Sequence, residues 1–210
     1  ANTEIEELGM RKALTRSRSM LLSLETTPDT NWEELSEYWT VGGTFKGAVP
    51  FLESLQRADE GLTVGVAEIL PLTPRRYLNT FPVSAEGITG SFPNNYWTTF
   101  NFFRITPDPK FLRRNASLQY LEKYYDKIEE PLKFGDIVAL TDADRDQIAH
   151  VCNFVADDIV YTKNGNSLLE PWIFMKIEDL LSRFSIRKPL EVQYWRRKPA
   201  QIQPVDNSAN

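Results

Sequence analysis

The side chain best suited to moving a proton at neutral pH is the only histidine of the chain, His150. An unperturbed imidazole titrates at about 6.5, where carboxylates and amines cannot serve without strong perturbation. His150 stands in Ile148-Ala149-His150-Val151-Cys152-Asn153-Phe154-Val155, downstream of Phe134-Gly135-Asp136-Ile137-Val138-Ala139-Leu140 and a short polar loop. This pattern reads as a strand, a hairpin loop and a second strand that opens on the imidazole. A lone histidine at a strand end is also a common structural residue, so its surroundings decide the matter.

Cys152 is the only thiol, and it falls two residues after His150, on the same face of a strand. Their Cβ atoms would be roughly 6.5–7 Å apart, too far for direct proton transfer. No helix N-terminus is at hand to stabilise the thiolate. Cys152 therefore reads as a small buried hydrophobe. A single cysteine excludes an internal disulfide and a cysteine zinc cage. The loop Asp142-Ala143-Asp144-Arg145-Asp146 begins like a calcium loop, but Gln147 replaces the required glycine and Asn153 the bidentate glutamate. There is no phosphate-cradling glycine loop, no His-Glu-x-x-His helix and no Gly-x-Ser-x-Gly elbow. The residues call for no metal and no cofactor.

The 210 residues, 41% hydrophobic and 25% charged, fit one ordinary globular domain with a helical extension. A net charge of −5 argues against a dedicated nucleic-acid binder, and Arg196-Arg197-Lys198 is too short a basic run to reverse that. No stretch approaches the roughly 18 consecutive apolar residues of a membrane span. The chain begins Ala-Asn-Thr-Glu, which fits either a mature end after signal cleavage or an expression scar.

The elements that must carry His150 follow from periodicity. Residues 3–24 read as one or two amphipathic helices, and Asn31 caps a helix bearing Trp32, Leu35, Tyr38 and Trp39. Gly42-Gly43 stops it, and Ala48 to Ala58 forms another with Pro50 in its first turn. Leu62 to Leu70 is a strand or an irregular segment, and prolines and glycines from Pro71 to Pro93 mark a loop-rich region. A helix starts at Asn115 or Ser117, continues through Ile128 and ends at Pro131. Strands at 136–140, 148–155 and 159–163 follow, and Pro171 opens a helix carrying Trp172, Ile173, Ile177, Leu180, Leu181 and Phe184. Leu190 to Trp195 is a last strand. The expected architecture is α+β, a small antiparallel sheet packed against helices, divided into a helical extension (1–60), a main domain (61–198) and a polar tail (199–210).

Gly135-Asp136-Ile137-Val138, then His150-Val151, then Asp157 and the strand to Thr162 together resemble the core of the NlpC-type papain-like cysteine peptidases, amidohydrolases that cut peptidoglycan peptides. Upstream, Phe92-Pro93-Asn94-Asn95-Tyr96-Trp97-Thr98-Thr99-Phe100-Asn101-Phe102-Phe103 is similar to the helix that the family's nucleophilic cysteine opens. The segment from Leu70-Pro71 to Phe81-Pro82 fits secreted members of that kind. The resemblance covers roughly residues 70–185. It implies a papain-like core and a site made of position 95 as nucleophile, His150, and Thr162 as the third residue. Asn94, Tyr96 and Trp97 would then line a cleft. It also implies a periplasmic or secreted location and a peptide or peptidoglycan fragment as ligand.

The chain departs from that pattern where it matters most. Asn95 carries no nucleophile, because an amide nitrogen's lone pair is delocalised. Thr162 offers a hydrogen bond without a carboxylate's charge. Losing the nucleophile of a cooperating set removes on the order of 10⁶-fold in rate. The leading expectation is a degenerate enzyme that binds its ligand in the remaining cleft. The alternatives are an active amidohydrolase whose nucleophile is missing only in this chain or lies elsewhere, and a protein-interaction scaffold using Trp32, Tyr38 and Trp39 as exposed anchors. The sequence leaves the oligomeric state open.

Overall fold

The computed structural model describes residues 6–7, 9–10, 13, 19–58, 61–82, 92–142, 144–145, 147–186 and 188–199. Much of the amphipathic reading for 3–24, the 83–91 part of the loop region, Asp146 and most of the polar tail lie outside the described residues. Within them the chain is α+β, with six α-helices and two antiparallel sheets.

The larger sheet has six strands. They are β3 (Tyr125–Ile128), β4 (Ile137–Asp142), β5 (Gln147–Ala156), β6 (Ile159–Lys163), β7 (Trp172–Lys176) and β8 (Glu191–Arg197), in the order β3-β8-β4-β5-β6-β7. All of β4 and β6 is buried, as strands covered on both faces must be. Alternation along the strands sorts side chains onto two faces. On one face, Ile137, Ala139 and Val151 meet Tyr96 and Phe100 of helix α4 (Asn95–Phe100), and Phe111 and Leu121 close the cluster. On the same face, Val155, Tyr161, Trp172 and Phe174 meet Trp97, Trp39, Leu52 and Leu70. On the other face, Val138, Leu140, Cys152, Phe154 and Val160 meet Leu180 of helix α6 (Ile177–Phe184).

The described stretch 19–58 is not a separable extension. Strand β1 (Ser23–Glu25) pairs with β2 (Thr63–Gly65) across the expected boundary at 60/61, and Tyr38 donates to the carbonyl of Val155 at 2.6 Å. Helices α1 (Trp32–Trp39) and α2 (Val49–Gln56) place Trp39, Leu52 and Leu55 in the core of the main sheet. Trp39 is buried and Trp32 packs partly buried against the same cluster, so neither is an exposed anchor. The capping reading holds: Asn31 accepts from the backbone N–H of Glu34 at 3.2 Å.

Two helices are shorter than their patterns suggest. Helix α5 spans Arg114–Tyr124, and Tyr125 turns extended (φ −129°, ψ 151°) to pair with Arg197. Leu121, Tyr124, Tyr125 and Ile128 suit a helical face, but aromatic and β-branched residues also suit a strand, and the ladder to β8 wins. Pro171 opens a strand rather than a helix. Trp172-Ile173-Phe174-Met175 is an unbroken apolar run, which periodicity alone cannot assign, and α6 begins only at Ile177. The remaining helix, α3, is Leu72–Tyr77.

The edge formed by β7 is covered. Met20 donates to the carbonyl of Phe174 at 3.1 Å, and Asn79 donates to that of Trp172 at 2.8 Å. At the start of β4, Gly135 takes φ +85° with the Phe103 ring pressed against it. A side chain there would meet both a disfavoured backbone and the Phe103 ring itself.

Candidate functional site

His150 faces α6. Its register partner on β4 is Leu140, a member of the α6-side cluster, and an extra residue on β5, Ala149, sets a bulge immediately before it. The imidazole is buried and lies against the Phe184 ring at the end of α6, centroids 4.4 Å apart and planes at 32°. Nε2 is 2.9 Å from Oγ1 of Thr162, and that hydroxyl donates to Oδ1 of Asn164 at 3.2 Å. Asn164 in turn donates toward Sδ of Met175 at 3.8 Å. A threonine has one proton to give. With that proton directed to Asn164, the Nε2–H tautomer of the imidazole is the one that satisfies the Thr162 oxygen.

Burial, assisted by the nearby positive charge of Arg183, pushes the His150 pKa down to about 3. At neutral pH the ring is uncharged and a very weak base. The Thr162 hydroxyl is no activated nucleophile, since an imidazole this weakly basic does not take its proton. Cys152 shares this face but is sealed within the sheet. Its thiol lies 3.5 Å from the carbonyl of Val138, and burial drives its pKa well above the usual range. A thiolate–imidazole pair does not form.

Asn95 lies elsewhere. It opens α4, and α4 packs on the opposite face of the sheet, against Val151 rather than His150. The structure therefore brings His150 and Thr162 together but does not bring Asn95 to them. The cause is the strand's two-residue alternation: α4 covers the odd-numbered side of β5 around Val151, and His150 belongs to the even-numbered side. Asn95 is 7% exposed, and its Nδ2 meets no hydrogen-bond acceptor.

The residues expected to line a cleft are structural. Asn94 is the helix cap, accepting from the N–H of Trp97 at 2.9 Å and donating to the carbonyl of Leu112 at 3.2 Å. The Tyr96 hydroxyl donates to the carbonyl of Ile148 and accepts from Nε of Arg114. Trp97 packs edge-on to Tyr77 and near Trp172 in the core. Thr98, one turn into α4, accepts from the indole N–H of Trp172 at 2.9 Å. Thr98→Val should cost about 1–2 kcal/mol by orphaning that buried donor, measured by urea unfolding.

Asp142, which ends β4, is structural as well. Asp142 pairs with Lys188 and accepts from the N–H of Asp144 at 3.2 Å, so it is engaged at home. Among the described residues no cluster of metal-ligating side chains occurs, and no helix is long and apolar enough to cross a membrane. Two participants escaped the sequence reading. Phe184 was placed correctly on the apolar side of its helix, but nothing in periodicity says that it covers an imidazole. Asn164 opens Asn164-Gly165-Asn166, which signals a turn, although its i, i+2 spacing from Thr162 is the signal that could join them. Comparison of the chain with protein-family models, with curated proteins and with solved structures gives no match.

Proposed function

We propose that this chain is a catalytically silent relative of the NlpC-type peptidases, one that works by binding rather than by hydrolysis. The observation that carries the reading is the sealed state of His150. Its ring is neutral, covered by Phe184, and engaged by a threonine instead of facing a nucleophile. Kinship is supported by the chain order of the helix opened by Asn95, the Gly135-Asp136 strand, the His150 strand and the Thr162 strand, and the placement of Asn95 on the sheet face away from His150 counts against it. The His150–Thr162 contact is the pairing of histidine with third residue that the resemblance implies. A papain-like core belongs to this proposal, and so do a periplasmic or secreted location and a peptide or peptidoglycan fragment as ligand. The cleft at Asn94–Trp97 does not belong to it, because those residues are committed to the core and to capping.

Hydrolysis is the direct test. Incubated with muropeptides between pH 5 and 8, the protein should release no amine above background, and His150→Ala should change nothing. Turnover that disappears with His150→Ala would overturn the reading. A second measurement examines the geometry. Asn95→Cys treated with iodoacetamide at pH 6 should react no faster than an ordinary thiol, whose thiolate fraction there is well under 1% for a pKa of about 8.5. Rapid labelling would mean that position 95 meets the imidazole after all.

A further inference from the structure

The outer edge of the six-stranded sheet carries a notch. Strand β3 accompanies β8 from Tyr125↔Arg197 only as far as Ile128↔Tyr194. Strand β8 continues to Glu191, paired there with β4 alone through Ala139↔Gln193, Leu140↔Val192 and Thr141↔Glu191. The chain leaves the line of β3 at Glu129 and Glu130, and the place where β3 would have continued is a concavity of 510 Å³. Ile128, Val192 and Tyr194 give it an apolar floor, continuous with the α6-side cluster that half-buries Val192 and Tyr194. Glu129 and Glu130 stand exposed on its wall. Glu130 faces Tyr194 closely enough to add to burial in raising that phenol's pKa. The one cation in the lining, Lys127, has its ammonium 5.2 Å from the centre of the Trp195 ring, which belongs to the other face of the sheet.

We infer that this notch docks an extended peptide segment of a partner protein, one in which basic and apolar residues alternate, as a short strand continuing β3 along β8. Three features match that occupant. Among the described residues no strand pairs with the outer edge of β8 at Val192–Gln193, which offers backbone groups in strand geometry, and a strand added there gains ladder hydrogen bonds. The floor receives alternate apolar side chains. The two carboxylates select lysine or arginine at the flanking position and disfavour an acidic peptide. The proposal concerns the outer edge of the sheet, two strands away from His150, and stands whether or not the chain hydrolyses anything.

The test is fluorescence anisotropy at low and moderate salt with three labelled eight-residue probes: alternating Lys-Val, alternating Glu-Val, and Lys-Val with alternate backbone nitrogens methylated. The Lys-Val peptide should bind, the Glu-Val peptide should not, and methylation should weaken binding because it removes ladder donors. A Glu129→Lys/Glu130→Lys protein, checked for native circular dichroism, should lose about tenfold in affinity for the Lys-Val peptide, the equivalent of about 1.4 kcal/mol. Failure of the Lys-Val peptide to bind would overturn the proposal. So would equal binding of the acidic peptide, indifference to methylation, or unchanged affinity in the double variant.

Discussion

Arg196→Met should lower the unfolding free energy by about 3 kcal/mol, toward the low end of what breaking a buried ion pair costs. Asp136 is 5% exposed, at the head of β4. Its carboxylate accepts from the N–H of Lys133 at 2.7 Å, from Nε of Arg196 at 3.0 Å and from Nη2 at 2.6 Å. The same guanidinium donates to the carbonyl of Pro131 at 2.9 Å, so one side chain ties the turn before β4 to strand β8. Without it a buried carboxylate keeps only the single backbone N–H. The arginine is a third exposed, which tempers the loss relative to a fully enclosed pair. Asp136→Asn should cost less, about 1–2 kcal/mol, because the amide oxygen can still accept from Lys133 and the cation left behind reaches water. Combined, the two changes should cost less than their sum by at least about 1 kcal/mol in a urea-unfolding cycle. Additive losses would show that the pair does not act as a unit.

That pair shows what was and was not legible in the residues. Gly135-Asp136 was conspicuous as a motif, and the strands around it were read nearly to their ends. Short apolar runs at Ile137–Leu140 and Ile148–Val155, bounded by polar turns, are the pattern of strands buried on both faces. What spacing cannot supply is the partner of the aspartate sixty residues away, since an arginine in a basic run near the C-terminus looks like a solvated strand end. The same limit governs the site. His150 and Thr162 stand on adjacent antiparallel strands and share a face, so their meeting follows from a short-range pattern. Whether α4 covers the face of β5 that carries His150 or the face that carries Val151 is a tertiary choice. It is set by the mass of aromatic surface on Trp97, Phe102, Phe134, Tyr161 and Trp172, all buried on one side. The division at residue 60 failed for a related reason. Leu22 and Leu24 read as helical leucines, whereas their run supplies a strand and an edge cover to the same core.

Between pH 7.5 and 5.0 the protein should lose about 2 kcal/mol of stability through His150 alone. The unfolded imidazole titrates at about 6.5 and the folded one at about 3, so the unfolded chain binds a proton that the native state refuses. Stability from this group is complete above the unfolded value, falls as pH drops below it, and levels off only near the folded value. Carboxylates add losses of the same sign at lower pH. Asp142, held below its ordinary range first by its hydrogen bond to Lys188, is the nearest example, and its window opens at about pH 4. Urea titrations at pH 7.5 and 5.0 therefore separate the histidine from the acids. His150→Gln retains an amide to bond Thr162 and has nothing to titrate, so its stability should change by less than about 0.5 kcal/mol over the same interval. A wild-type protein equally stable at both pH values would mean that the imidazole reaches water and can be protonated in place. It would then be open to act as a base, and the silence proposed for this site would lose its physical ground.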